Sequence, residues 1–137
     1  MALTHLVDTS VLTRLGNEMV RSVVEPLALS GSLARAGTID LEVGYSARSA
    51  KEWDLAVGSL DAFELIETSA EHVRRARQVQ RLLAAKHQRG RKVPDLLIAA
   101  AAEVNDLAVL HYDADFDRIA AVTGQRVEWV VPPGSAD

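Results

Sequence analysis

Short apolar runs that break at an acidic residue, alternating with longer helical stretches, constrain this chain more than any other feature. Ala2–Val7 runs into Asp8, and Leu107–Tyr112 runs into Asp113. Runs of this length bounded by turn-forming residues read as buried strands, and apolar positions three and four apart read as helix faces. Strands alternating with helices imply parallel pairing through right-handed crossovers. In such sheets the ligand crevice lies beyond the carboxyl ends of the strands, where Asp8 and Asp113 stand.

Between these two strands the pattern predicts a helix from about Val11, capped by Thr9 or Ser10, and a helical stretch over 17–29 kinked or broken at Pro26. Ser30-Gly31-Ser32 reads as a loop, and Gly37 as the end of a short piece left without assignment. Thr38 is the expected N-cap of a helix carrying Glu42 one turn inside. Residues 50–61 read as a helix weakened by Gly58, Phe63–Glu67 as a strand, and Ser69–His87 as a long helix. Residues 88–92 form a loop. Pro94 suits the first position of the next helix, because its missing N–H is not needed there, and the apolar run Leu96–Ala102 buries that helix on most sides. A helix over 114–122 and a strand over 127–131 complete a single domain of residues 1–131, with 132–137 as a loose tail.

At 137 residues and 48% hydrophobic the chain supports one core, and its 4% aromatic content leaves the packing to Ala, Leu and Val. The absence of cysteine excludes disulfides, thiolate zinc sites and cysteine nucleophiles, and agrees with a reducing cytoplasm. Asp8 interrupts the one candidate leader core, and no stretch approaches 18 apolar residues without a charge, so neither a signal peptide nor a membrane span is expected.

A lone Asp after a strand is ordinarily a cap or turn residue, and a lone Glu in a helix is ordinarily solvated. What argues for a site is the set: Asp8, Glu42, Asp95 and Asp113 each lie within apolar sequence, at element ends that a parallel fold brings to one edge. Converging carboxylates repel and are costly to desolvate unless cations sit among them, and oxygen ligands favour Mg²⁺ or Mn²⁺. Asp115 and Asp117 also read as caps of the helix that follows.

Asp8-Thr9-Ser10-Val11-Leu12, Glu42, Pro94-Asp95-Leu96-Leu97-Ile98-Ala99-Ala100 and Asp113-Ala114-Asp115-Phe116 together resemble the PIN-domain ribonucleases, most closely the VapC-type toxins of bacterial toxin–antitoxin pairs. The resemblance runs from Ala2 to Val131. It implies a PIN-like three-layer α/β/α fold with a central parallel sheet of four to five short strands. It also implies that Asp8, Glu42, Asp95 and Asp113 are catalytic metal ligands, with Asp115 as an outer or second-metal ligand. Ser10 would help hold metal-bound water. Tyr112 departs from the family, which often has Thr or Ser there, and offers its phenol as the hydroxyl. By the same likeness the activity is hydrolysis of RNA by metal-activated water, leaving 5′-phosphate and 3′-hydroxyl ends. The partners would be a VapB-type antitoxin, covering a groove near residues 41–63, and a second copy of the chain.

From His72 to Pro94 there are eight basic residues and no acid. A run of one sign leading straight to Asp95 reads as a phosphate track, with Arg74, Arg75, Arg81, Arg89, Arg91 and Lys92 as its RNA contacts. His5, His72, His87 and His111 read as structural or surface groups, and Trp53 and Trp129 as core or interface. Two rival readings remain. One is a non-catalytic module that binds RNA or the antitoxin. The other is an aspartyl-phosphate phosphatase using Asp8, which lacks the second Asp such enzymes carry at position 10.

Overall fold

The computed structural model describes residues 2–88 and 92–137. Five strands form one wholly parallel sheet: β1 (His5–Val7), β2 (Leu33–Ala36), β3 (Glu64–Ile66), β4 (Ala108–His111) and β5 (Val127–Trp129). Their spatial order is β3-β2-β1-β4-β5. The chain therefore builds outward from β1 through β2 to β3, then returns to the other side of β1 for β4. That reversal opens the crevice between the carboxyl ends of β1 and β4. Leu6 pairs with Val109 and Val7 with Leu110 in that central ladder, and the Asp8 amide continues it by donating to the Leu110 carbonyl at 2.9 Å.

The helices flanking the sheet are α1 (Thr9–Leu12), α2 (Glu18–Leu29), α3 (Gly37–Gly44), α4 (Ala50–Gly58), α5 (Ala70–Ala85), α6 (Val93–Val104) and α7 (Asp115–Thr123). A 3₁₀ turn over Ser59–Ala62 follows α4 at Gly58. In α6 every residue from Leu96 to Ala102 except Leu97 is fully buried, and the helix packs on β1, β2 and β4. Pro94 occupies its first turn, as expected from the missing N–H. Ser69 caps α5 in a reciprocal pair with His72, which is buried for that reason.

Several expectations are corrected. The unassigned piece before Gly37 is β2, a fully buried strand beside β1. Its Arg35 hides the strand pattern, yet the side chain is only 7% exposed. The guanidinium is held by Asp40 at 2.7 Å, by the Leu60 carbonyl at 2.9 Å and by the Phe63 carbonyl. Asp8, not Thr9 or Ser10, is the N-cap of α1. Helix α3 starts at Gly37 rather than behind Thr38, whose hydroxyl is buried with no hydrogen-bond partner among the described residues. Helix α2 runs through Pro26 without a break. The tail is docked rather than loose: Ala136 is buried, its amide donates to the Tyr112 hydroxyl at 3.0 Å, and its carbonyl accepts from Arg14 Nε at 3.1 Å.

Arg35 thus ties β2 to α3, to the 3₁₀ turn and to the entry of β3. Replacing it by Met leaves Asp40 and two carbonyls without their donor, at a cost of about 3 kcal/mol. Urea denaturation of Arg35→Met against the parent is expected to register that loss, and an unchanged midpoint would contradict the assigned role.

Candidate metal centre

Each acid reaches the crevice for a local reason. Asp8 follows β1 directly, and its Oδ2 accepts from the Ser10 amide at 3.0 Å and the Ser10 hydroxyl at 2.6 Å. Asp113 follows β4 across the sheet's turning point. Its Oδ1 caps the Asp115 amide at 2.9 Å, which in turn sets Asp115 in the first turn of α7. Asp95 lies in the first turn of α6, which enters at the same edge. Ligand atoms of Asp95, Asp113 and Asp115 all lie within 4.8 Å of one another. Glu42, on α3, reaches in through Thr9, whose hydroxyl donates to Glu42 Oε1 at 3.0 Å.

The electrostatics are those of crowded, desolvated carboxylates. Burial pushes Asp95 up to about 7, the charges of Asp8 and Asp113 push the same way, and Lys92 opposes them. Burial likewise raises Asp8 against the pull of its Ser10 hydrogen bonds, with the charge of Asp113 adding to the rise. Glu42 is raised by burial, against its bond from Thr9. Asp95 Oδ2 is buried and has no hydrogen-bond partner among the described residues. The Lys92 ammonium stands 3.9 Å from Asp95, 3.9 Å from Asp113 and 3.4 Å from Asp115, and these charges, that of Asp95 first, hold its pKa up. Arg118 pairs with Asp115 from the other side.

An all-oxygen donor set with a buried carboxylate oxygen that accepts no hydrogen bond among the described residues fits a divalent cation, so the cluster can hold a metal. Of the five acids singled out from the sequence, Asp95, Asp113 and Asp115 form the tight group, and Asp8 and Glu42 stand near it, Asp8 close enough to raise Asp95 and Glu42 close enough to feel Asp8. The Ser10 hydroxyl donates to Asp8 and accepts the Tyr112 amide at 2.8 Å, which locks the β1 and β4 ends together. The Tyr112 phenol faces the tail instead, donating to Asp137 at 2.6 Å under the Arg14 guanidinium.

The basic track divides. Arg75 is engaged by Glu103 of α6, at 2.6 and 3.3 Å, and by Gln78 at 3.0 Å, so it stitches α5 to α6 rather than facing a substrate. Arg74 and Arg81 are exposed on α5 and line an open depression with Arg77. Lys92 meets the acids themselves, while Arg89 and Arg91 lie outside the described residues. Sequence reasoning missed Thr9 and Arg118 as partners of the acids. A hydroxyl beside Asp8 and an arginine three residues past Asp115 were the available signals.

The PIN domain family model matches residues 5–122. This chain is a member of the PIN domain family. It is 61% identical to ribonuclease VapC51 of Mycobacterium tuberculosis (strain ATCC 25618 / H37Rv) over 137 residues, all of both chains. Ribonuclease VapC21 of the same strain is 46% identical over 138 residues, covering 99% of this chain and all of that one, and the PIN-domain chain accordingly belongs with the VapC proteins. Among solved structures, DNA-bound VapBC from Salmonella typhimurium superposes with a TM-score of 0.77 over 94% of this chain and 99% of that chain, at 22% identity. VapBC2 from Rickettsia felis gives 0.76 at 19% identity, again over 94% and 99%. At those identities the match confirms the PIN-type architecture.

The raised Asp95 carboxyl has a consequence for the metal-free protein. Its folded value lies above the unfolded one, so its contribution to stability is fully present below about pH 4 and lost as pH rises through 7. In EDTA, the melting temperature is expected to fall by about 5 °C or more between pH 5.5 and 8, and Asp95→Asn to flatten that slope. A parent and a variant with the same slope would contradict this electrostatic picture.

Proposed function

We propose that this PIN-domain protein is a Mg²⁺- or Mn²⁺-dependent endoribonuclease acting as the toxin of a toxin–antitoxin pair in the cytoplasm. The observation that carries the reading is the oxygen cluster of Asp95, Asp113 and Asp115, with Asp8 and Glu42 beside it and one buried carboxylate oxygen that accepts no hydrogen bond among the described residues. Bound there, a divalent cation makes water nucleophilic and stabilises the leaving oxygen of a phosphodiester. Asp8, Asp95 and Asp113 are the ligands in this reading, Glu42 and Asp115 complete the set, and Ser10 and Thr9 orient Asp8 and Glu42. Lys92 is exposed enough to exchange its acid partners for a substrate phosphate, and Arg74 and Arg81 extend the positive surface along α5. RNA as the substrate follows the relatives, which are named ribonucleases.

A VapB-type antitoxin is the proposed inhibitor, in line with the solved VapBC complexes that share the fold. Leu41 on α3, Tyr45 just past its end and Leu55 on α4 are exposed, and Leu12, Leu15, Val43 and Phe63 together with Thr9 and Glu42 line a cavity of about 420 Å³. An apolar surface that shares residues with the acid cluster suits a partner that silences the site by covering it. For the proposed homodimer, Val73 and Val93 are exposed beside a cleft between α5 and α6.

Cleavage of a single-stranded RNA is expected with Mg²⁺ or Mn²⁺ and not with EDTA. Asp8→Asn and Asp95→Asn should each lower the rate roughly 10³-fold, the scale of several kcal/mol of lost charge stabilisation. Undiminished cleavage in EDTA or in either variant would overturn the reading.

A further inference from the structure

The residue two before Asp113 is a histidine with no accessible surface. His111 Nδ1 accepts the Asp113 amide at 3.1 Å, so the ring proton resides on Nε2. That nitrogen has no hydrogen-bond partner among the described residues and faces Asp117 Oδ1 at 4.0 Å. Asp117 is held from behind by the Trp129 indole, whose Nε1 donates to its other oxygen at 3.0 Å. The imidazole itself is wedged between Phe116 and Trp129, with ring centroids 5.2 and 5.0 Å away. A hydrophobic side chain would pack there as well, and burying an imidazole is costly. What the ring adds is an acceptor for one amide, and that amide belongs to the acid at the centre of the cluster.

We propose that His111 is a positioning residue for the metal site, its neutral ring fixing the backbone from which the Asp113 carboxylate projects. Asp117 and Trp129 complete the device: the carboxylate attracts the Nε2 proton and so selects the tautomer that leaves Nδ1 free to accept. Asp113 is thereby restrained twice over. Its own Oδ1 accepts the Asp115 amide and its amide is caught by His111 at the end of β4. Groups that orient a metal ligand without touching the metal commonly change its affinity 10–100-fold. The inference rests on the reading of the acids as metal ligands, and it is testable by binding alone.

The experiment is a calorimetric Mn²⁺ titration of the full chain and its His111→Leu, His111→Asn and Asp117→Ala variants, with Asp8→Asn as control. Leu and Asn share the same branched side-chain skeleton, but only Asn returns an acceptor at the δ position. His111→Leu is expected to bind Mn²⁺ about 10–100-fold more weakly than the parent, and His111→Asn to recover most of that loss. Equal weakening in the Leu and Asn variants would reduce His111 to a packing residue and overturn the proposal, as would parental affinity in His111→Leu. Where thermal melts show that His111→Leu does not fold, Asp117→Ala decides: weakened binding supports the device and unchanged binding sinks it. If the parent itself binds no Mn²⁺, or Asp8→Asn binds it equally well, the metal-site reading fails rather than this refinement of it.

Discussion

Carboxylates from the end of β1, from α3 and α6 and from the β4–α7 junction share one crevice, and their burial and mutual repulsion set the terms for the groups around them. For Asp95, Asp113 and Asp115, whose ligand atoms lie within 4.8 Å of one another, an effective dielectric near 20 gives a repulsion of roughly 3 kcal/mol per ionised pair. The fold supports that opposition because the acids are anchored to elements whose stability comes from elsewhere, above all the buried helix α6 and the central β1–β4 ladder. The surrounding polar side chains answer the same field. Ser10 and Thr9 donate to Asp8 and Glu42, Lys92 spans three acids, and Arg118 pairs with Asp115. One oxygen of Asp95 has only the Lys92 charge at 3.9 Å and no hydrogen bond among the described residues, which is where a cation has most to offer.

The crevice exists because of strand order. With β2 and β3 on one side of β1 and β4 and β5 on the other, the loops that leave β1 and β4 diverge, and the space between them is left open at the carboxyl edge. Two cross-links then keep those ends in register: the Asp8 amide on the Leu110 carbonyl, and the Tyr112 amide on the Ser10 hydroxyl. Arg14 and the docked tail press on Tyr112 from outside, while His111 holds Asp113 from within. The precision of the site is thus built from backbone amides received by side chains, a task for which small hydroxyls and an imidazole are suited and longer flexible groups are not.

Charge alone was a poor guide to which basic residues face the acids. Arg75 and Lys92 belong to the same uninterrupted positive run, yet one is drawn to Glu103 and the other to the acid cluster. The difference is tertiary. Helices α5 and α6 pack against each other, which brings Glu103 of α6 against α5, while the start of α6 lies at the sheet's active edge. A linear run records neither fact. Arg35 teaches the converse lesson. A strand with a central arginine fails any apolar pattern, and only the convergence of Asp40 with two carbonyls from 25 and 28 residues away makes its burial tolerable.

The sequence by itself determined the alternation of strands and helices, and hence the parallel sheet with acids at its carboxyl edge. Those signals are local: apolar period, a proline that opens α6, and acids placed where apolar runs end. It also carried the likeness to PIN-domain proteins, because that likeness resides in short motifs kept in order. Only the tertiary structure decided which side chains those acids meet. Thr9 with Glu42, Lys92 with Asp95, Asp113 and Asp115, and Ser10 with the Tyr112 amide are pairings set by helix packing and strand order. Contacts between residues far apart in the chain leave no periodicity to read, since their geometry arises only when the sheet has closed.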